Sequence, residues 1–299
     1  MEKYTINSFH KDFPDDNACL EWLVNHFHPN GIYCKKCGRI TKHHRLTNRR
    51  CYSCDNCGTH FYPTAGTIFH KSSTPLKLWF YAVYLMSSTR CGISAKQLQR
   101  QLGVTYKAAW RMFHQIRKLL KEDVGSFSGA VEMDETYVGG KRRGKRGRGA
   151  EGKTIVAGVV QRQGKVVAEV VPDAKTKTLL PMLGERVLPG SIIYTDEYLS
   201  YNGVGKAGYH HRRIHHAQKI YVRGDIHTNN IECFWSQLKR SLDGTHHAVS
   251  AKYLQCYLDE FMFRYNHRRD EQNLFITWLS QVCQGVDQIG HPLHGGTLS

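Results

Sequence analysis

The chain predicts an α/β fold preceded by a metal-held ribbon and a helical segment, and three observations carry that prediction. From Ala130 onward strand-like and helix-like segments alternate, as in domains that layer helices on a sheet. Ahead of them stand two Cys-x-x-Cys-Gly knuckles, Cys34 to Gly38 and Cys54 to Gly58, separated by 16 residues. Three acids, Asp134, Asp196 and Glu232, fall late in two β-like runs and early in an amphipathic helix, where one fold can gather them.

The bulk composition sets the class of partner. At 299 residues the chain can bury a full domain core and still carry smaller modules. Its 42 Lys+Arg against 25 Asp+Glu give a formal charge of +17, which favours polyanions, and nucleic acid above all. No apolar run approaches the roughly 20 residues that cross a bilayer. Met1-Glu2-Lys3-Tyr4 opens no signal peptide, so the expected site of action is inside the cell, with no membrane partner. Ten cysteines in such a chain point to metal or free thiols rather than disulfides, and five of them lie between Cys34 and Cys57.

Residues 1–30 hold one apolar-periodic helix, with Cys19, Leu20, Trp22, Leu23, Val24 and Phe27 on its packing side. Residues 31–62 form the ribbon. Each knuckle brings two thiolates to one tetrahedral zinc, and the Gly after the second Cys relaxes the turn. Cys51 also stands at knuckle spacing from Cys54. We assign Cys34, Cys37, Cys54 and Cys57 to one structural Zn2+, because only the Cys54–Cys57 pair keeps its Gly in register with the first knuckle.

Residues 63–124 read as helical. The run from Pro75 to Leu85 is apolar nearly all round and so buried. Beyond it, Ser94 can cap a helix that Gly103 ends, and Thr105 can cap a second whose early turns carry Tyr106, Lys107 and Arg111. That is a helix-turn-helix layout, in which the start of the second helix faces base edges of double-stranded DNA.

Residues 125–284 make the large domain, after a Gly-Ser linker at 125–129. Strands are expected at 130–138, 154–161 and 165–171, the last two joined at Gln163-Gly164. A helix at 176–187, strands at 191–195 and 209–214, and helices from Asn229 and beyond Gly244 follow. This order is that of an RNase H-like (retroviral integrase-like) fold, in which central strands place their acids together. Between the first two strands, Lys141, Arg142, Arg143, Lys145, Arg146 and Arg148 give a loop dense enough in charge to meet a phosphate backbone. The histidines of His210-His211-Arg212-Arg213-Ile214-His215-His216 lack a metal-ligand spacing, and a polar strand close to DNA accounts for them. Residues 285–299 read as a flexible tail.

The helix from Asn229 carries the third acid. Glu232, Ser236 and Lys239 recur at i, i+4 and i+7, beside an apolar stripe of Ile231, Trp235, Leu238 and Leu242. Three carboxylates of this kind can seat two Mg2+ ions about 4 Å apart, with Mn2+ as a substitute, since hard cations select carboxylate oxygen. Asp134 would bridge the pair, Asp196 hold one ion and Glu232 the other, while Lys239 holds a phosphate. Bland readings exist for each acid: Asn229 and Glu232 fit a capping box, Asp196 a turn, and Glu132 or Glu135 can stand in for Asp134.

The stretches Glu132 to Gly140, Tyr194 to Tyr198 and His227 to Lys239, followed by Gly244-Thr245-His246-His247 and Arg264-Tyr265-Asn266-His267-Arg268, resemble the bacterial DDE insertion-sequence transposases of the ISXO-two-like group, insertion-sequence family fifteen-ninety-five. The likeness runs from the ribbon to about Arg269. It implies an enzyme of the bacterial cytoplasm, at the nucleoid, that cuts DNA at transposon ends and joins the freed 3′ hydroxyl to target DNA, as a homo-oligomer when two ends are synapsed. Members of the group are also described with Asn at the third catalytic position. Glu232 is assigned here as the better magnesium ligand, with Asn229 as the alternative. Two other readings stand beside it, a DNA-binding regulator derived from an inactive transposase and a nuclease of the same fold.

Overall fold

A computed structural model describes residues 4–139, 153–214 and 227–283. The basic loop at 141–148, His215, His216 and the tail from 284 lie outside the described residues. Contacts divide the described residues into two units, one drawn from Met1–Thr89, Ala95–Leu119 and Asp270–Ser299, the other from Arg90–Ser94 and Leu120–Arg269.

The first unit opens with two helices where the sequence suggests one. α1 (Ile6–Asp12) starts at a Thr5/Ser8 capping box, and α2 (Asp16–Phe27) starts where Asp15 accepts the Ala18 amide at 2.9 Å. Pro14 lies between the two helices, where it lacks the N–H a continuous helix would need. The ribbon follows as β1 (Tyr33–Cys34), β2 (Arg39–Ile40), β3 (His43–Leu46), β4 (Cys51–Cys54) and β5 (His60–Phe61). Then come α3 (Leu76–Ser88), buried through Trp79, Phe80 and Met86, and the pair α4 (Ala95–Leu102) and α5 (Tyr106–Leu119).

The second unit is built on a five-stranded sheet. Its strands are β6 (Ala130–Val138), β7 (Thr154–Gln161), β8 (Val166–Val171), β9 (Ile192–Thr195) and β10 (His210–Arg213), in the order β10-β9-β6-β7-β8. β7 runs antiparallel to β6 and β8, while β9 and β10 run parallel to β6. That is the RNase H-like order. α6 (Thr176–Arg186) bridges β8 to β9; between β9 and β10 stand two short 3-10 turns, Leu199–Tyr201 and Gly205–Ala207, rather than a helix. One face of the sheet, with Val131, Met133, Ala157, Val159 and Ile193, packs on Leu179 and Leu183 of α6 and on Tyr201. The opposite face carries α7 (Asn229–Ser241) over β6 and β7, and α8 (Ala251–Asn266) over β8.

α8 also closes the sheet edge. Asn266 accepts from the Val166 amide at 2.8 Å and donates to the Val166 carbonyl, and Gln255 does the same for the Val170 amide and the Ala168 carbonyl. The Met262 sulfur accepts the Ala168 amide. Side chains thus take the place of a sixth strand, so β8 offers no open ladder for another chain.

α9 (Leu274–Cys283) departs from the boundary expected at 284. It belongs to the first unit, packing on α3 and α5, with the Phe275 ring against Phe9, Phe13 and Tyr84. The second unit accordingly ends at Arg269 and begins by Leu120 rather than at 125. No helix among the described residues is long and apolar enough to cross a membrane.

Candidate active site and metal centre

In the ribbon the four assigned thiols converge. The sulfur atoms of Cys34, Cys37, Cys54 and Cys57 all lie within 4.8 Å of one another. A tetrahedron with Zn–S bonds of about 2.3 Å has edges of about 3.8 Å. The Cys34–Cys57 and Cys37–Cys54 separations are 3.5 and 3.9 Å, so the donor set fits a structural zinc. The knuckle glycines do what the sequence asks of them: Gly38 and Gly58 take φ of 68° and 71°, and each amide bonds back to the carbonyl of the first Cys at 2.9 Å. The Thr59 hydroxyl and amide draw the Cys57 thiol down to about 6, towards the thiolate a metal needs. Cys51 stands apart from the quartet, buried on β4 opposite Leu46. Metal analysis is expected to find about one zinc per chain in the wild type and in Cys51→Ser, and a loss of most of it in Cys57→Ser; equal zinc in both variants would remove the assignment.

The helix pair α4–α5 has the expected stop at Gly103 and the expected cap at Thr105. Gly103 takes φ 66°, and the Thr105 hydroxyl accepts the Ala108 amide at 3.3 Å. Tyr106 and Lys107 are exposed at the start of α5. Arg111 is tied within its own unit, donating to the Ser72 hydroxyl at 3.1 Å with its guanidinium over the Trp79 ring.

On the second unit, neighbouring strands carry two of the acids. β6 and β9 pair in parallel as Ala130 with Ile192, Val131 with Ile193 and Glu132 with Tyr194. Asp134 and Asp196 each follow two residues beyond the last of these pairs, on neighbouring strands. Their charges meet accordingly: the Asp134 carboxyl is pushed up to about 7 by burial first, then by Glu135 and Asp196, and in smaller part by Glu232.

α7 supplies the third acid and the wall around it. Glu232, Trp235, Ser236, Lys239, Arg240 and Asp243 share a cleft of about 690 Å³ with Asp134, Glu135 and Thr136 of β6. The Trp235 indole N–H donates to Asp134 at 3.1 Å. Gly158, paired with Asp134 on β7, makes room for that ring, since a Cβ there would come within 2.6 Å of it. The Thr228 hydroxyl donates to Glu232 at 2.6 Å, whereas Asn229 is exposed in the first turn and lies outside the cleft wall. Asp196 is likewise outside that wall, on the β9 side of Asp134. Among the described residues the cysteine quartet is the one group of three or more such ligand atoms gathered closely enough for a single ion.

Two neighbouring acids are engaged elsewhere. Glu132, fully buried, accepts the amides of Asn230 and Ile231 at 2.8 and 3.1 Å, the Asn230 side chain at 2.7 Å and Arg162 at 2.9 Å. It therefore caps α7 from the sheet, and the capping box of Asn229 with Glu232 does not form: the N-cap is Thr228, with no side-chain bond to the helix amides. Glu135 accepts the buried Tyr201 hydroxyl at 2.6 Å. Sequence reasoning missed Arg162, Trp235 and Gly158 as parts of this site. Only Trp235 carried a signal, its place next to the acid face of the helix.

Comparison with known proteins agrees in outline. The model of the ISXO2-like transposase domain matches residues 126–266, and that of the transposase zinc-ribbon domain matches residues 14–60. The chain is similar to an uncharacterized protein in transposable element ISH50 of Halobacterium salinarum, 30% identical over 274 residues that cover 85% of this chain and 92% of the relative. It is also similar to an uncharacterized transposase-like protein of Haemophilus influenzae, 32% identical over 121 residues, 40% of this chain and 95% of the relative. Among solved structures it resembles a pre-cleavage Mos1 transpososome at 14% identity and TM-score 0.29, over 64% of this chain and 74% of that one. A simian T-cell lymphotropic virus intasome matches at 14% identity and TM-score 0.31, over 73% and 78% of the two chains.

Proposed function

We propose, from the premise that this chain belongs to the ISXO2-like transposase family, that Asp134, Asp196 and Glu232 are the metal-binding acids of a DNA strand-cleavage and strand-transfer site. The observation that carries the reading is the meeting of Asp134 with Glu232 and Lys239 in one cleft, and the burial and neighbouring charge on Asp134 accord with it. A carboxyl held up to about 7 by burial and by Glu135, Asp196 and Glu232 is an anion cluster that a hard divalent cation would relieve. The donor set is all carboxylate oxygen, which suits Mg2+ and Mn2+, and three such acids can seat two ions. Bound there, two such ions would supply an activated hydroxyl, a stabilised leaving oxygen and a shield for the charge on phosphorus.

The chain's own residues do the positioning. Trp235 fixes the Asp134 carboxylate through its indole N–H, and Thr228 fixes Glu232. Lys239 and Arg240, exposed on the cleft wall, can hold the phosphate beside the acids. Transposon ends and target DNA are the substrates, with Tyr106 and Lys107 facing base edges. A homo-oligomer would bring two ends together.

Incubation of the purified protein with labelled element ends, a target plasmid and Mg2+ tests this directly. Joined products are expected. Binding without cleavage would replace the reading with a DNA-binding regulator, and cleavage without joining with a nuclease.

Thermal melts supply an independent check on the cations. Asp134 is raised in the folded state, so its contribution to stability is present below its ordinary 3.8 and is lost as pH rises through about 7. The metal-free protein should therefore melt lower at pH 8 than at pH 6, Mg2+ should raise the midpoint more at pH 8, and Asp134→Asn should flatten both effects. A pH- and Mg2+-independent midpoint in the wild type would count against the cation site.

A further inference from the structure

The sheet places a second basic surface on the face that bears the acids. On β10, Arg212 pairs with Tyr194 of β9, which pairs in turn with Glu132 of β6. Residues paired across a sheet share a face, as do residues two apart on a strand. His210 and Arg212 therefore stand on the face of Glu132 and Asp134, the one α7 covers further along. Side-chain contacts confirm the parity. The Arg162 guanidinium lies 3.8 Å over the Tyr194 ring while bonding Glu132, which joins those residues on one face. On the other, His211 meets the Thr195 hydroxyl at 2.9 Å.

His210 and Arg212 are both exposed, and their neighbours His211 and Arg213 are half-buried. With strands about 4.8 Å apart and about 3.3 Å of rise per residue, Arg212 lies about 8 Å from Asp196 and about 12 Å from Asp134, backbone to backbone. That is within a few phosphates of a bond being cut at the acids. Lys239 and Arg240 stand on the α7 side of Asp134, and β10 stands two strands away on the other. The acids thus have the α7 cations in the Asp134 cleft and the β10 cations two strands from β6.

We propose that the exposed His210–Arg212 face of β10 is a phosphate-binding rail, which positions the DNA strand on the side of the scissile phosphate opposite Lys239 and Arg240. The proposal rests on the active site described above, and it gives Arg212 a positioning role rather than a catalytic one. It also gives the His-Arg run a purpose that metal binding does not. The recognition is of phosphate, without regard to base, so it should show as salt dependence and not as sequence preference.

The test uses the full chain as wild type, Arg212→Ala, Arg212→Lys, His210→Ala/Arg212→Ala and Asp196→Ala. Affinity for a labelled duplex of about 30 base pairs of arbitrary sequence is measured against salt. Cleavage is followed on a plasmid carrying the element that encodes the chain. Arg212→Ala should lower the slope of log affinity against log salt by about 1, the double variant by more, and Arg212→Lys should restore most of it. The DNA concentration for half-maximal cleavage should rise about tenfold in Arg212→Ala, while the rate at saturating DNA stays within about threefold. An unchanged slope, or a loss of slope that Lys fails to restore, would overturn the rail. Asp196→Ala separates the two readings: it should keep the wild-type slope and lose cleavage at every DNA concentration. Normal cleavage in that variant would remove the acid site and leave the salt measurement to decide the rail alone.

Discussion

Asp196→Ala is expected to lower strand cleavage and joining by at least about a thousandfold, some 4 kcal/mol of transition-state stabilisation, while affinity for element ends moves less than about threefold. The position of the acid explains the size. Asp196 follows the last residue of β9 and its charge acts on Asp134, so its loss would remove one of the acids around Asp134 and leave the cleft wall on α7 intact. One oxygen accepts the Tyr198 amide at 2.9 Å, closing the turn into Leu199–Tyr201, a bond worth about 1 kcal/mol. Asp196→Asn keeps an oxygen for that bond and removes the charge, so it should be as inactive as the Ala variant and melt like the wild type. Wild-type joining by Asp196→Asn would exclude Asp196 as a ligand. A further sign is expected at Asp134. With the Asp196 charge gone, one of the three charges that hold its carboxyl up is removed, and the pH dependence of the metal-free melt should weaken.

Much of this arrangement was legible in the primary structure because it is local. The runs Ala130–Val138 and Thr154–Gln161 are rich in β-branched residues and bounded by turn signals, and the strands take those bounds. The apolar stripe Ile231, Trp235, Leu238 and Leu242 sets which side of α7 is buried, and all four are. Knuckle spacing with its trailing glycines identified the sulfur quartet. What was not legible depends on partners far apart in the chain. Phe275 and its helix are apolar without a direction, and only the aromatic pocket of Phe9, Phe13 and Tyr84 draws them to the first unit. Gly158 reads as any strand glycine until the indole from α7 is laid against it. Glu132 and Asp134 sit two apart on one strand with the same chemistry and the same face. Nothing in their immediate sequence tells the capping acid from the one in the cleft, because that choice is made by Arg162 and by the start of α7.

Glu132→Ala is for that reason expected to destabilise the second unit by about 3–5 kcal/mol, the cost of stripping one partner from a buried ion pair, and to lower its melting midpoint by about 10 °C. The carboxylate lies between two groups that cannot be left alone. Arg162, which also donates to the His227 carbonyl at 2.8 Å, would keep its charge beside the sheet without a counter-ion. The amides of Asn230 and Ile231, at the open end of α7, would lose their acceptor in a buried setting. Glu132→Gln should recover part of the loss, since an amide oxygen can still accept from the helix, but it turns donor towards donor on the other side and leaves Arg162 uncompensated. Pairing it with Arg162→Met removes the stranded charge, so the double variant should be more stable than the sum of the two single changes implies, by about 1–3 kcal/mol. A double variant no better than that sum would mean that the pair does not act as a unit. The contrast with Asp196 then separates scaffold from chemistry. Removing Asp196 should stop the reaction in a protein that melts normally, whereas removing Glu132 should loosen the docking of α7 and carry Glu232 and Lys239 away from Asp134 with it, so that melting and strand transfer fall together.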